Sequence, residues 1–305
     1  MKSGSNLENV LAAGHFAVTA ELGPPKGTSR RAVERKAEML RNAVDAVNLT
    51  DNQTAITRMC SLATSVIVRQ AGLDPVMQIT CRDRNRLAIQ ADVLGASALG
   101  VKNILALSGD HQRFGNHPMA KNVYDLDSLH LLQTLAIMRD EGKFQSGDTF
   151  QGQLPLFVGA AANPYGDPFE FRVFRLAKKI RAGAEFIQTQ AVFNVPKFAE
   201  YMRLVCEMGL DKKAYILAGV IPMKSVGMAR YMRDYVAGVD VPTELVTRME
   251  NAKDSKEEGV KICLEIIEQL VAMPGVHGIH IMAVGWEEIV PTIVQEAHLL
   301  PRPSL

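Results

Sequence analysis

The feature that most constrains the fold of this chain is a repeat of pattern rather than of residues. Short runs rich in Val, Ile and Leu recur, each followed by a polar turn and then by a longer stretch with helical spacing. Eight such runs can be read: Phe16–Glu21, Ala43–Leu49, Val76–Cys81, Asn103–Leu107, Leu154–Ala160, Phe186–Ala191, Ala214–Val220 and Gly278–Val284. They are continuously apolar, the pattern of parallel strands buried on both faces, where antiparallel strands with one wet face would alternate. From the fifth run to the seventh the spacing is about 30 residues, the size of a strand–helix–strand unit. Eight units of this kind predict a (β/α)8 barrel in the α/β class, with an open doubly wound sheet as the alternative.

Helices are marked by their stops as well as by their period. In Glu170–Ala182 the apolar residues Phe171, Phe174, Leu176, Ala177 and Ile180 precede a basic last turn, Lys178, Lys179 and Arg181, and then Gly183. Two connections are oversized. Asp110–Gln153 holds a helical pattern at Asp127–Asp140, and Met223–Pro274 holds two or three helices. Insertions on strand–helix units are normal in barrels, and no low-complexity or charged linker divides the chain, so one domain over residues 1–305 is expected.

Bulk properties narrow the function. With 47% hydrophobic and 22% charged residues a core is easily built, and a formal net charge of +1 offers no electrostatic reason to expect nucleic acid or an anionic membrane as partner. Cys60, Cys81, Cys206 and Cys263 are far apart and form no CxxC pair; four reduced, buried thiols of a cytoplasmic protein are expected, not a metal centre. The N-terminal apolar stretch is too short and interrupted for a signal peptide, and no run reaches the ~18 apolar residues of a membrane span. The Pro-containing C-terminal EAHLLPRPSL reads as a frayed tail, and Met223, Met228 and Met232 as core packing.

Barrel enzymes carry their chemistry at the carboxyl ends of the strands. Polar residues there include Glu21, Asn48, Thr50, Asp51, Thr80, Arg82, Asp83, Ser108, Asp110, Asn163, Gln190 and Asn194, each of which could equally be a cap or turn residue. Glu21 closes an apolar strand ahead of Gly-Pro-Pro, which forbids a helix and fixes an extended loop. A carboxyl in so dry a place has a raised pKa, as a general acid near neutrality requires; a strand-end Glu paired with Arg or Lys is the structural alternative. In LALSGDH the apolar run ends on Ser108 and Gly109, whose glycine lets backbone N–H groups approach a ligand, and on the Asp110 carboxylate. Neither GxGxxG after an early strand nor GxxxxGK[ST] occurs, so any nucleotide would be held by barrel loops, and His111 with His117 lacks a third metal ligand.

The ordered set TAELGPP, VNLTDN, ITCRD, LALSGDH, ANPYGDP and AGAEFIQTQAVFN resembles the methylenetetrahydrofolate reductase family, from about Phe16 to Val284. The resemblance implies a flavin-dependent barrel that reduces 5,10-methylenetetrahydrofolate to 5-methyltetrahydrofolate through non-covalent FAD. It implies Glu21 as general acid, Asp110 as the carboxylate near flavin and folate, and Gln190 with Asn194 on the folate. For the flavin it implies Thr50, Gln78, Ser108, Gly109, Asp110, Tyr124, Asp127, Asn163 and Lys179. It further implies a homo-oligomer.

The departures from that pattern are specific. Gln78 stands where many relatives have His, Ser108 replaces an Arg, and Asn163 and Asp167 occupy positions usually Tyr and His, which leaves FMN as an alternative to FAD. Val226 and Trp286 stand where relatives that stack NAD(P)H have Phe and often Arg, so electrons are expected either from NAD(P)H or from a partner redox subunit. A flavin-free folate-binding transferase and a non-catalytic subunit of a redox complex are the other readings.

Overall fold

The computed structural model describes residues 1–305. Eight parallel strands close into a barrel in sequence order: β1 (Ala17–Leu22), β2 (Ala46–Leu49), β3 (Pro75–Thr80), β4 (Asn103–Leu107), β5 (Phe157–Ala162), β6 (Phe186–Ala191), β7 (Tyr215–Val220) and β8 (Gly278–Ile281). The sheet closes where Ala17 pairs with Gly278 and Ala20 with Ile281. This is the predicted (β/α)8 barrel, not the open sheet. The eight runs differ from the strands only at their ends. β5 begins at Phe157, beyond Pro155, which has no N–H to give to the ladder. β2 begins at Ala46, where its register with Thr19 of β1 starts.

The outer ring contains α2 (Arg30–Leu40), α3 (Ser61–Gln70), α4 (Arg86–Ala98), α5 (Ser128–Glu141), α6 (Phe171–Arg181), α7 (Val195–Glu207) and α8 (Val226–Tyr235), followed by α9 (Thr243–Asn251), α10 (Ser255–Val271) and α11 (Val290–Glu296). The long connection after β7 therefore holds three helices. A 67-residue core cluster occupies the space between strands and helices. It includes Met223 and Met232, as expected of that methionine series.

A separate buried cluster fills the lower end of the barrel. There α1 (Asn6–Ala12) inserts Leu7, Val10 and Leu11 against inward residues such as Ala46, Val76, Leu105 and Phe186. The amino-terminal stretch is thus a plug. The carboxyl-terminal stretch is not frayed: Arg302 donates to Asp45 Oδ1 at 3.1 Å and Oδ2 at 2.6 Å and to the Phe16 carbonyl at 2.7 Å. A guanidinium beside an otherwise isolated buried carboxylate removes an uncompensated charge, which is why the tail docks. The cysteines also depart from expectation. All are free, but Cys60 is exposed and Cys206 half-buried, because each lies at or near a helix end. No helix is long and apolar enough to cross a membrane.

Candidate active site

Because side chains alternate along a strand, residues two apart face the same way. In β1 this places Thr19 beneath Glu21 and in β2 Asn48 beneath Thr50; in β6 Gln188 belongs to the same lower level, and a register shift between Gln188 and Ala191 breaks the alternation above it. The lower members form a buried polar layer. Gln188 and Asn48 exchange amide hydrogen bonds at 2.6 and 3.0 Å, and Gln188 Nε2 also donates to Thr19 Oγ1 at 3.2 Å. Thr19 Oγ1 lies 2.9 Å from Nδ1 of His280 on β8. Burial pushes the His280 pKa down to about 3, so the ring is neutral. Sequence reasoning picked out only Asn48 from this layer; Thr19, Gln188 and His280 sit inside apolar runs and carry no local signal.

Above the layer is the mouth. Glu21 is half-buried, and burial, followed by the neighbouring Glu287 carboxylate, raises its pKa to about 7 against an opposing contribution from Arg58. Its Oε1 accepts from Gln53 Nε2 at 3.4 Å. Glu287 is itself buried and paired with Lys36 Nζ at 2.5 Å. The structural alternative for Glu21, a simple pair with Arg or Lys, is not what forms: no salt bridge to Glu21 exists, and the lysine at this corner is taken by Glu287.

Asp110 sits at the end of the β4 turn with Gly109 at φ 87°. A Cβ on Gly109 would stand 3.0 Å from Thr80 Cβ and 3.1 Å from Arg82 Cβ, so the turn requires glycine both for its backbone and for its close approach to β3. Asp110 Oδ2 accepts from the Thr54 N–H at 3.0 Å, and its carbonyl accepts from Arg82 Nη1 at 2.9 Å. Arg82 also grips Asp83 through two nitrogens, at 2.7 and 2.6 Å, and thereby ties together the loops after β2, β3 and β4. Ser108 is exposed beside the turn. Tyr124, at φ 40°, reaches back to the Gly109 carbonyl at 3.4 Å.

A second group lies at the ends of β5 and β6. Lys179 Nζ donates to the Ala161 carbonyl at 2.5 Å, and burial, with the nearby Arg175 charge, lowers its pKa to about 8. Asp127 caps α5 by accepting from the His130 N–H at 2.8 Å and lies within electrostatic reach of Lys179. Asn163 Oδ1 accepts from the Tyr165 N–H at 2.9 Å. Lys179, Asn163, Arg172 and Arg175 line a small cavity of about 80 Å³. The Gln190 side chain is exposed at the end of β6. Asn194 is otherwise engaged: it caps α7 through the Lys197 N–H at 3.0 Å and donates to Asp240 at 3.3 Å. Gln78 is half-buried in β3, and its carbonyl accepts from Ser61 Oγ at 2.7 Å.

One feature of these residues fits a flavin. Thr50 Oγ1 is a buried polar atom with no partner inside the chain, a group that a bound molecule would satisfy. No cluster of His, Cys, Asp and Glu is suited to a metal ion.

A closed parallel barrel with its titratable side chains gathered at the carboxyl ends of the strands, one of them a glutamate with strongly raised proton affinity, is the framework of a barrel enzyme acting on a small molecule. Residues 6–298 match the methylenetetrahydrofolate reductase family, and the chain belongs to it. It is 25% identical to methylenetetrahydrofolate reductase 2 of Schizosaccharomyces pombe over 97% of this chain and 48% of that protein. It is 21% identical to the 5,10-methylenetetrahydrofolate reductase of Pectobacterium carotovorum over 73% of this chain and 69% of that one. The chain therefore spans about half the length of the fission-yeast relative. A solved Clostridium thermocellum protein, described as uncharacterized and as binding two copies of 5-methyl-5,6,7,8-tetrahydrofolic acid, shares the fold at TM-score 0.70 and 14% identity, covering 96% of this chain and 100% of its own.

Proposed function

We propose that the chain catalyses flavin-dependent reduction of 5,10-methylenetetrahydrofolate to 5-methyltetrahydrofolate, with Glu21 as general acid. The observation that carries this reading is the pairing of a half-buried carboxyl of pKa about 7 at the end of β1 with a second carboxylate, Asp110, held to the same loop system by Thr54. Opening the five-membered ring of the folate needs a proton on the departing nitrogen and leaves a cationic iminium. Glu21 holds a proton at neutral pH and can supply it. Asp110 carries a negative charge that favours the cation as it forms. Gln190, exposed at the mouth and free of side-chain partners, is available to the pterin.

A bound flavin supplies the hydride. Thr50, the Ser108–Asp110 turn and Tyr124 would hold its ring system, and Lys179, Asn163, Asp127 and Gln78 the remainder, with FAD favoured over FMN by the family and by the basic character of the β5–β6 side. For the electron donor, Val226 and Trp286 favour a partner redox subunit over direct NAD(P)H oxidation, since Val226 at the start of α8 offers no aromatic face for a nicotinamide.

The test is a visible spectrum of the purified protein, followed by anaerobic additions. Flavin absorbance that bleaches with 5-methyltetrahydrofolate supports the reading, and bleaching by NADH or NADPH at a rate compatible with turnover removes the need for a partner. Absence of flavin, with failure to reconstitute it, overturns the reading in favour of a folate-binding transferase. Glu21→Gln is expected to keep flavin binding and lower folate turnover by about 10²–10⁴-fold.

A further inference from the structure

The turn between β2 and α3 is built from disfavoured backbone. Asn52, Thr54 and Ala55 have φ of 47°, 57° and 55°, in the left-handed region that side chains with a Cβ avoid. Three such residues within four positions persist only where their surroundings hold them, and conformations of this kind concentrate at functional sites. The restraints are explicit. Thr54 N–H binds Asp110, Arg58 N–H binds Asn52 Oδ1 at 3.0 Å, Thr57 N–H binds Asn116 Oδ1 at 3.1 Å, and Arg82 Nη2 reaches the Asn52 carbonyl at 3.3 Å. Gly115 is packed so tightly on the Ala55 carbonyl that a Cβ there would come within 1.8 Å of the oxygen.

What this backbone delivers is a pair of side chains beside Glu21. Gln53 places its amide 3.4 Å from Glu21 Oε1. Arg58 anchors one end of its guanidinium on the Pro24 carbonyl at 3.1 Å, has a buried Nε with no acceptor, and acts electrostatically on Glu21. The other charged group on Glu21 comes from the turn after β8: Glu287, whose own charge is shared with Lys36 of α2.

We propose that Gln53 and Arg58 are positioning residues for the acid at Glu21, and that the left-handed turn Asn52–Ala55 exists to hold them there while its Thr54 N–H fixes Asp110. An amide cannot titrate, so Gln53 donates to one carboxyl oxygen in either protonation state and leaves the other to carry the proton. Arg58 and Glu287 bear opposite charges on the same carboxyl, so each offsets the other. The catalytic meaning of this arrangement rests on the function proposed above, but the arrangement itself is testable without flavin or folate.

The experiment is a 13C NMR titration of the Glu21 carboxyl in the ligand-free full chain, assigned with Glu21→Gln. Arg58→Met is expected to raise the midpoint by about one pH unit, Glu287→Gln to lower it by a similar amount, and Gln53→Leu to raise it, while Arg58→Lys stays near wild type. Midpoints in Arg58→Met and Gln53→Leu that coincide with wild type overturn the proposal. Should Arg58→Met fail to fold, the Gln53→Leu midpoint decides. In single-turnover oxidation of photoreduced enzyme by methylenetetrahydrofolate, the pH at which the rate falls should move with each midpoint while the half-saturating folate concentration stays unchanged. Glu21→Gln that still reduces folate would sink the functional reading and leave the titration shifts standing; unmoved midpoints beside an inactive Glu21→Gln would do the reverse.

Discussion

Glu21 shows at the scale of one residue how far local reasoning reaches. Its place at a strand end before Gly-Pro-Pro is enough to expect a dry carboxyl. Its partners are not readable, because Glu287 lies at the other end of the chain and becomes a neighbour only when β8 closes against β1. The raised pKa has a stability consequence whose sign is definite. The folded state holds the Glu21 proton up to about pH 7 and the unfolded chain only to about 4.5, so stability is lost as pH rises between those values. Glu21→Gln should therefore raise Tm by a few degrees at pH 8 and change it little at pH 4. Thermal melts at the two pH values check this, and an equal shift at both would contradict it.

Among the elements, helix α7 illustrates a residue to which the structure gives a structural role beside the one expected of it. Asn194 resembles a folate ligand by position, and in the structure its side chain caps α7 and holds Asp240 from the segment between α8 and α9. That segment crosses to the β5 end, where Gly238 lies against Asn163. Asn194→Ala should cost about 1 kcal/mol in chemical denaturation, the usual loss of an N-cap, and Asn194→Ser should recover most of it. A loss of folate affinity without any loss of stability would make the ligand role the main one. The turn Asn52–Ala55 is the opposite case: only Asn52 carries a local signal for left-handed backbone, Thr54 and Ala55 carry none, and the contacts with Asp110, Arg82 and Gly115 enforce it.

At the scale of the whole molecule, both chain ends close the lower mouth of the barrel, α1 by apolar packing and Arg302 by charge. Arg302 and Asp45 are 9% and 1% exposed, so Arg302→Ala leaves a carboxylate buried without its cation and should destabilise by about 3–5 kcal/mol, measured by denaturant unfolding. A cost below about 1 kcal/mol would mean that the tail is ornamental. The sequence by itself determined the eight strands, their parallel direction and the polar residues at their ends, because burial on both faces writes a continuous apolar signature and strand ends are marked by Gly, Pro and Asp nearby. Only the tertiary structure decided that the sheet closes, the Thr19–Asn48–Gln188–His280 layer, the opposing charges on Glu21 and the docking of the tail. Each depends on residues brought together across the closed barrel, and no spacing along the chain encodes such a distance.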